Sequence, residues 1–287
     1  MAIKGLTTAV FADYSYDGNT VTYTNGFVCG SAIEYGVEIE AAENNPLYGD
    51  DRIIENDYGT FNTGTLTINT SDLTQPDSKR LLGLKEVQVQ IGETTVTELV
   101  TDDDTKSSPK GFGIIETHQV NDVDKYRAVI LCKVAMGIPA EAATTKGEAI
   151  EWQTKELEGT INRSDENTSD YKHPWKREAW FDSGSGAMEY LKTILNVLNS
   201  LEAKSVAGTL EGETIITIVN PSGAGKYKYS VTGPLPRYKQ DLTSWTELPE
   251  DGEITATNGS TLYIAEVDES EKAIAAGTVT VTANGGE

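Results

Sequence analysis

The sequence predicts a mainly β protein of two domains, the first a β-sandwich with a flanking helix and the second a smaller β-sandwich. Three observations point there. Val, Ile, Thr, Tyr and Gly are plentiful, and these residue types favour strands and turns. Apolar residues recur mostly at period two, the pattern of strands with one dry and one wet face. Beyond Lys204 the texture changes to short strand-like runs punctuated by turn residues. At 287 residues the chain is long enough for two cores, giving domains over 1–203 and 206–287.

The elements follow in order. Residues 7–14 and 21–27 flank a Tyr16-Asp17-Gly18-Asn19 turn and read as a hairpin. In the strand over 30–41, Ile33, Tyr35, Val37 and Ile39 fall on one side, and Glu34, Glu38 and Glu40 on the other. The wet face of that strand carries three carboxylates and no base. A loop over 42–61, dense in Asn, Asp, Gly and Glu, leads to a second alternating strand around Leu66 and Ile68. Loops of that length without structure of their own are functional or disordered. Its Leu47, Tyr48, Ile53 and Ile54, around Asp50 and Asp51, are expected to order only against another subunit. Asp72 is the candidate cap of a short helix with Pro76 near its start, Leu81-Leu82 near its end and Gly83 as its stop. Strands follow at 87–91, 113–119, 126–136 and 149–162, with a polar loop from Asp102 to Pro109 between them.

The clearest helix spans about 186–202, where Met188, Leu191, Ile194, Leu195, Leu198 and Leu201 make one apolar stripe behind Ser185 as N-cap. Further strands are expected at 214–220, 226–232, 252–257, 261–268 and 277–283. Turns at Pro221-Ser222-Gly223, Asn258-Gly259 and Ala275-Ala276-Gly277 separate them. With a lone Trp245, this is a sandwich of immunoglobulin or fibronectin-III size, although it lacks the paired cysteines of antibody domains.

Charge and composition narrow the function classes. The formal charge is −22, with 33 acids against 18 bases up to residue 205 and 12 against 5 beyond it. Such a surface repels phosphate, which argues against a protein that grips nucleic acid. Hydrophobic residues make up 38%, low for an enzyme built around a large buried core. Cys29 and Cys132 lie in separate strand-like contexts and read as buried free thiols. The first residues hold no signal-peptide core and no long apolar run occurs, which predicts synthesis in a cytosol without a membrane anchor.

Signatures of catalysis, cofactor binding and metal binding are not met. His118 and His173 stand in separate contexts without ligand spacing. Gly223-Ala224-Gly225-Lys226 fails as a phosphate loop, having Asn220 for the first glycine and Tyr227 for the Ser/Thr. Asp102-Asp103-Asp104 begins like a calcium loop, but Ser107 and Gly113 stand where Gly and Glu are needed. No catalytic, cofactor or metal residue is assigned, and the protein is expected not to be an enzyme.

Acidic strand, long acidic loop and returning strand, in that order, resemble the major tail protein of long-tailed, non-contractile bacteriophages. The similarity covers roughly 1–203. It includes Tyr48-Gly49-Asp50-Asp51, Gly64-Thr65-Leu66-Thr67-Ile68, Leu81-Leu82-Gly83 and Gln153-Thr154-Lys155-Glu156-Leu157-Glu158-Gly159-Thr160. The resemblance implies a structural virion protein whose hexameric rings join their inner sheets into one barrel and stack into the tail tube for DNA ejection. Glu34, Glu38 and Glu40 would then face the lumen, and Leu47, Tyr48, Asp50, Asp51, Ile53 and Ile54 would form the inter-subunit loop. Implied partners are the chain itself, tape measure protein, tail terminator and initiator proteins, and double-stranded DNA passing without specific binding. The C-terminal segment is similar to an immunoglobulin-like decoration domain. The implied location is the virion tail, after synthesis in the host cytoplasm. Two other readings share parts of this pattern: the inner tube of a contractile tail or injection machine, and a β-sandwich binding or adhesin module. The last predicts clustered exposed aromatics, for which Trp175 and Trp180 are the only close pair.

Overall fold

A ribbon of long antiparallel strands forms the N-terminal unit, which spans Met1–Leu195. The structure is a computed structural model that describes residues 2–57, 59–71, 73–141, 145, 154–221 and 225–285, with backbone only at 45, 49 and 57. The strands are β1 (Ala2–Tyr16), β2 (Val21–Val28), β3 (Ala32–Ala41), β4 (Asn45–Gly49), β5 (Arg52–Asp57) and β6 (Phe61–Thr70). After helix α1 (Gln75–Leu82) come β7 (Lys85–Ile91), β8 (Thr94–Val100), β9 (Lys110–Val120), β10 (Val123–Met136), β11 (Lys155–Asn162) and β12 (Lys176–Phe181). Helix α2 (Gly184–Leu195) closes the unit.

The main sheet runs β2-β1-β9-β10-β11-β6-β3, and β12 also pairs with β10. Strand β10 is long enough to serve two layers: residues 126–131 pair with β12, and 133–136 with β11. One layer is therefore β2, β1, β9, β10 and β12, and the other is β11, β6 and β3 with the end of β10. Phe11, Phe112, Leu66, Ile68, Leu157 and Ile161 are wholly buried between them. Burial of each such side chain is worth about 1.5–3 kcal/mol. Alternation is strict where one face is dry: Leu157, Gly159 and Ile161 of β11 are buried while Glu156, Glu158 and Thr160 are exposed.

Both helices are shorter than the sequence predicts or differently capped. The N-cap of α1 is Thr74, whose Oγ1 accepts a hydrogen bond from the Asp77 amide, whereas Asp72 lies outside the described residues. Gly83 ends α1 in the left-handed region, φ 71°, and a Cβ there would meet the Lys106 carbonyl at 2.4 Å. Ser183, not Ser185, caps α2 by accepting from the Gly186 amide. The α2 stripe packs Leu191 and Leu195 onto β9 at Gly111 and Gly113, where a Cβ would come within 2.8 Å of Leu195. The helix stops at Leu195, and Asn196 turns left-handed at φ 51°. Leu198 and Leu201 continue the helical spacing only by coincidence, because they pack in the second unit.

That second unit is Asn196–Glu287, so the division falls at Leu195/Asn196 rather than at 203/206. It contains β13 (Asn199–Ser200), β14 (Ala203–Ala207), β15 (Glu213–Ile218), β16 (Lys226–Ser230), β17 (Thr246–Glu247), β18 (Glu253–Thr255), β19 (Thr261–Val267) and β20 (Ala273–Thr280). The expected boundary at 203/206 thus falls inside strand β14, hydrogen-bonded to β15. One sheet runs β13-β20-β19-β16-β17 and the other β14-β15-β18. Ala275-Ala276-Gly277, expected as a turn, lies inside β20, where Gly277 leaves room for the Leu201 carbonyl. Leu201, Ile216, Leu262 and Ile264 fill the space between the sheets. On the other face of the larger sheet, Leu242 and Trp245 of the 231–245 connection pack with Leu198 over Ala265 and Val267. Buried Lys228 holds that connection by donating to the Leu242 carbonyl at 3.0 Å and pairing with Glu271.

Candidate assembly surfaces of the N-terminal unit

The outer face of β3, β6 and β11 is a polar wall assembled by register. Glu34 pairs with Asn69, which pairs with Glu156; Gly36 with Thr67 and then Glu158; Glu38 with Thr65 and then Thr160. Glu40 continues the rows opposite Thr63. All five glutamates are exposed, and the wall contains no apolar side chain larger than threonine's methyl. Its reverse carries Tyr35, Val37, Leu66, Ile68, Leu157 and Ile161 against the core. Glu34, Glu38 and Glu40 therefore share one face as their spacing predicts. Glu156 and Glu158 complete it, from the strand expected over 149–162, of which residues 149–153 lie outside the described residues. The alternation was visible, but the pairing partner of that strand was not. Ile33 and Ile39 are 52% and 42% exposed, less dry than alternation implies. Strand β3 ends the sheet and its pairing with β6 is irregular at both ends, with Ile33 the extra residue at one of them.

The loop over 42–61 is not structureless. Its centre is the tight hairpin β4–β5, a two-stranded sheet of its own. Asp50 and Asp51 are the two turn residues, both left-handed at φ 49° and 59°, which suits the right-handed twist of a two-residue hairpin. Tyr48 faces Ile53 across the ribbon, and the bulge after Leu47 leaves Ile54 as the extra residue opposite it. Tyr48 and Ile53 thus share one face while Leu47 lies on the other. Leu47, Tyr48, Ile53 and Ile54 are 61%, 66%, 53% and 62% exposed. A lone two-stranded ribbon is marginal in water, and apolar groups on both of its faces leave it without a wet side.

A third feature was not anticipated. On the core-facing side of the first layer, successive rows lead from Phe112 and Ile114 to Glu116 and His118 and then to Val120. Glu116 is buried, and its carboxylate accepts from Tyr35, His118 and Arg127. Burial opposes its charge, but hydrogen bonds from Tyr35 and His118 and the Arg127 guanidinium hold its carboxyl below the usual range. Arg127 also pairs with Glu178, and His118 lies against the Trp180 ring at 4.8 Å. Tyr35 of β3 donates to Glu116, and beyond it Trp180, Val123 and Ile3 are exposed.

Other residues singled out in the sequence have local roles. His173 Nδ1 lies 3.1 Å from the Ser164 carbonyl. Asp102 accepts from the Asp104 amide within its own turn and pairs with Lys85. Residues 222–224 of the Gly-rich turn lie outside the described residues. Cys29 and Cys132 are free and buried, and burial pushes each thiol up to about 12. Trp175 stacks on Phe61 at 4.7 Å beside the core and does not cluster with Trp180. Among the described residues, no group of three or more His, Cys, Asp or Glu is arranged to hold a metal ion, and no helix is long and apolar enough to cross a membrane. No protein-family model matches the chain, and no curated protein matches it.

Proposed function

We propose that this chain is a structural virion protein that polymerises as stacked hexameric rings into a bacteriophage tail tube, with the β3–β6–β11 wall lining the conduit. The carrying observation is that wall: five glutamates per chain on an all-polar face backed by a dry core. Six copies would turn about thirty carboxylates inward, a count that follows from period-two geometry. Their field reaches only about 8 Å at physiological salt, enough to keep phosphates off the wall without resisting passage. Strands β2, β3 and β12 are edges of the main sheet, and joining β2 and β3 to neighbouring copies would remove two of the three. The β4–β5 hairpin supports the same reading, since burial against another copy would cover both of its apolar faces. The second unit would be an immunoglobulin-like decoration, and tape measure, terminator and initiator proteins would be the partners. The function is scaffold and conduit, without turnover.

Negative-stain microscopy of the purified protein tests this. Rings or tubes with a central hole are the expected result. Particles that remain monomeric when supplied with an assembled tube end overturn it.

A further inference from the structure

We propose that Tyr35 and Glu116 form an acid-released latch that holds β3, the strand carrying three of the wall's five glutamates, against the first layer. Strand β3 is lightly secured by its place in the fold. Its only partner strand among the described residues is β6, and that pairing is irregular at both ends. Ala32, Tyr35 and Val37 pack its dry side against the core, yet each is only half-buried. Among the described residues, the Tyr35 hydroxyl makes the one side-chain hydrogen bond of β3, donating to Glu116 Oε1 on β9.

Glu116 gathers three donors on two oxygens. Oε1 takes Tyr35, and Oε2 takes His118 Nε2 at 2.7 Å and Arg127 Nη1 at 3.0 Å. Behind Arg127 stands Glu178 of β12, which Lys176 also pairs at 2.8 Å. From β1 the neighbour across the ladder is the apolar Leu6. An ionised carboxylate is acceptor only, and a bond to it is about twice as strong as a neutral one. A proton on Glu116 sets an O–H among these donors. On Oε2 it displaces His118 or Arg127; on Oε1 it turns the Tyr35 bond round into a neutral one. In both cases the tie to β3 loses its charge.

The direction of the switch follows from the same contacts. Burial and the bond to Glu116 push the Tyr35 hydroxyl up, so Tyr35 stays the donor while Glu116 is ionised. Burial opposes the charge on Glu116, but its donors hold the carboxyl below the usual range. The latch is therefore closed above the unfolded value of about 4.3 and opens as pH falls through the lower, folded one. Opening frees β3 locally while the first layer persists, a sub-global step rather than unfolding.

Hydrogen exchange on the unassembled full chain tests this, from neutral pH down to about pH 3, each rate divided by the intrinsic rate at that pH. Protection of the β3 amides bonded to β6 should fall about tenfold through the Glu116 titration, while β9 and β10 keep theirs. Tyr35→Phe keeps the ring near Phe112 and removes only the hydroxyl. It should show the acid level of β3 protection already at neutral pH, with no further change on acidification. A tyrosine that merely fills the core would lower protection evenly and leave the parent's pH profile in place. That profile in Tyr35→Phe overturns the latch. So does β3 protection that is flat with pH in the parent, or loss in β9 and β10 in step with β3. Because no assembly enters the measurement, its failure leaves the tube reading untouched.

Discussion

The two units treat exposed sheet surface in opposite ways. In the C-terminal unit both faces of the five-stranded sheet are covered by its own chain: one by the smaller sheet, the other by Leu242 and Trp245. In the N-terminal unit Trp180, Val123 and Ile3 stand exposed on one sheet, and a hairpin keeps exposed apolar side chains on both of its faces. Covering a face from within the chain costs only the ordering of a connection, here 231–245 pinned by Lys228. The contrast teaches that exposed apolar surface in the first unit is concentrated on the hairpin and on the sheet around Trp180, while the second unit covers both faces of its larger sheet.

The largest expected effect comes from removing the hairpin. Replacing residues 45–57 with a tight turn should abolish assembly while shifting the unfolding midpoint of the monomer by less than about 1 kcal/mol equivalent, since the hairpin buries so little. Wild-type tubes from that variant would break the comparison. In the C-terminal unit, Leu242→Ala should do the reverse. It should cost about 2–5 kcal/mol of stability by opening a cavity under the connection, read by denaturant unfolding, and leave ring formation unaffected.

Glu116→Gln sharpens the boundary between closed and open surface within the first unit. Removing a buried charge that Arg127 and His118 were satisfying should cost about 2–3 kcal/mol. The folded-state carboxyl of Glu116 lies below its unfolded value, so its contribution is present above the unfolded value of about 4.3 and is lost as pH falls through the lower, folded one. The parent should therefore lose stability on acidification in a window that the Gln variant lacks, measurable as a difference between their acid-unfolding slopes. The smallest effect on folding is expected from reversing Glu34, Glu38 and Glu40 to Lys. These positions are already wet, so stability should change by less than about 1 kcal/mol. Assembled tubes of the reversed variant should nevertheless bind duplex DNA at low salt and release it as salt rises. DNA binding identical to the parent's would place these residues away from the conduit.

Much of the strand content and the common face of Glu34, Glu38 and Glu40 were legible in the sequence, because alternation encodes which side of a strand is dry. Gly83 as the stop of α1 was equally local, since only glycine takes that φ cheaply. Where the reading went astray, the cause was a contact made far along the chain. Leu198 and Leu201 kept helical spacing but belong to another core, and Ala275-Ala276-Gly277 has turn composition yet is held straight in β20. The hairpin inside 42–61 was hidden because Asp50 and Asp51 are not the Asn-Gly that announces such a turn.

By itself, the sequence determined the β class, the acidic excess, the wet and dry sides of β3 and the absence of familiar catalytic spacing. These depend on neighbours within a few residues, whose backbone geometry repeats. Only the tertiary structure decided that Glu156 and Glu158 join the β3 glutamates, that Gly111 and Gly113 admit α2, and that Glu116 is buried beneath Tyr35, Arg127 and His118. Each of these depends on strand pairing and layer length between segments dozens of residues apart. Periodicity states which way a side chain points, but not which strand lies beside it.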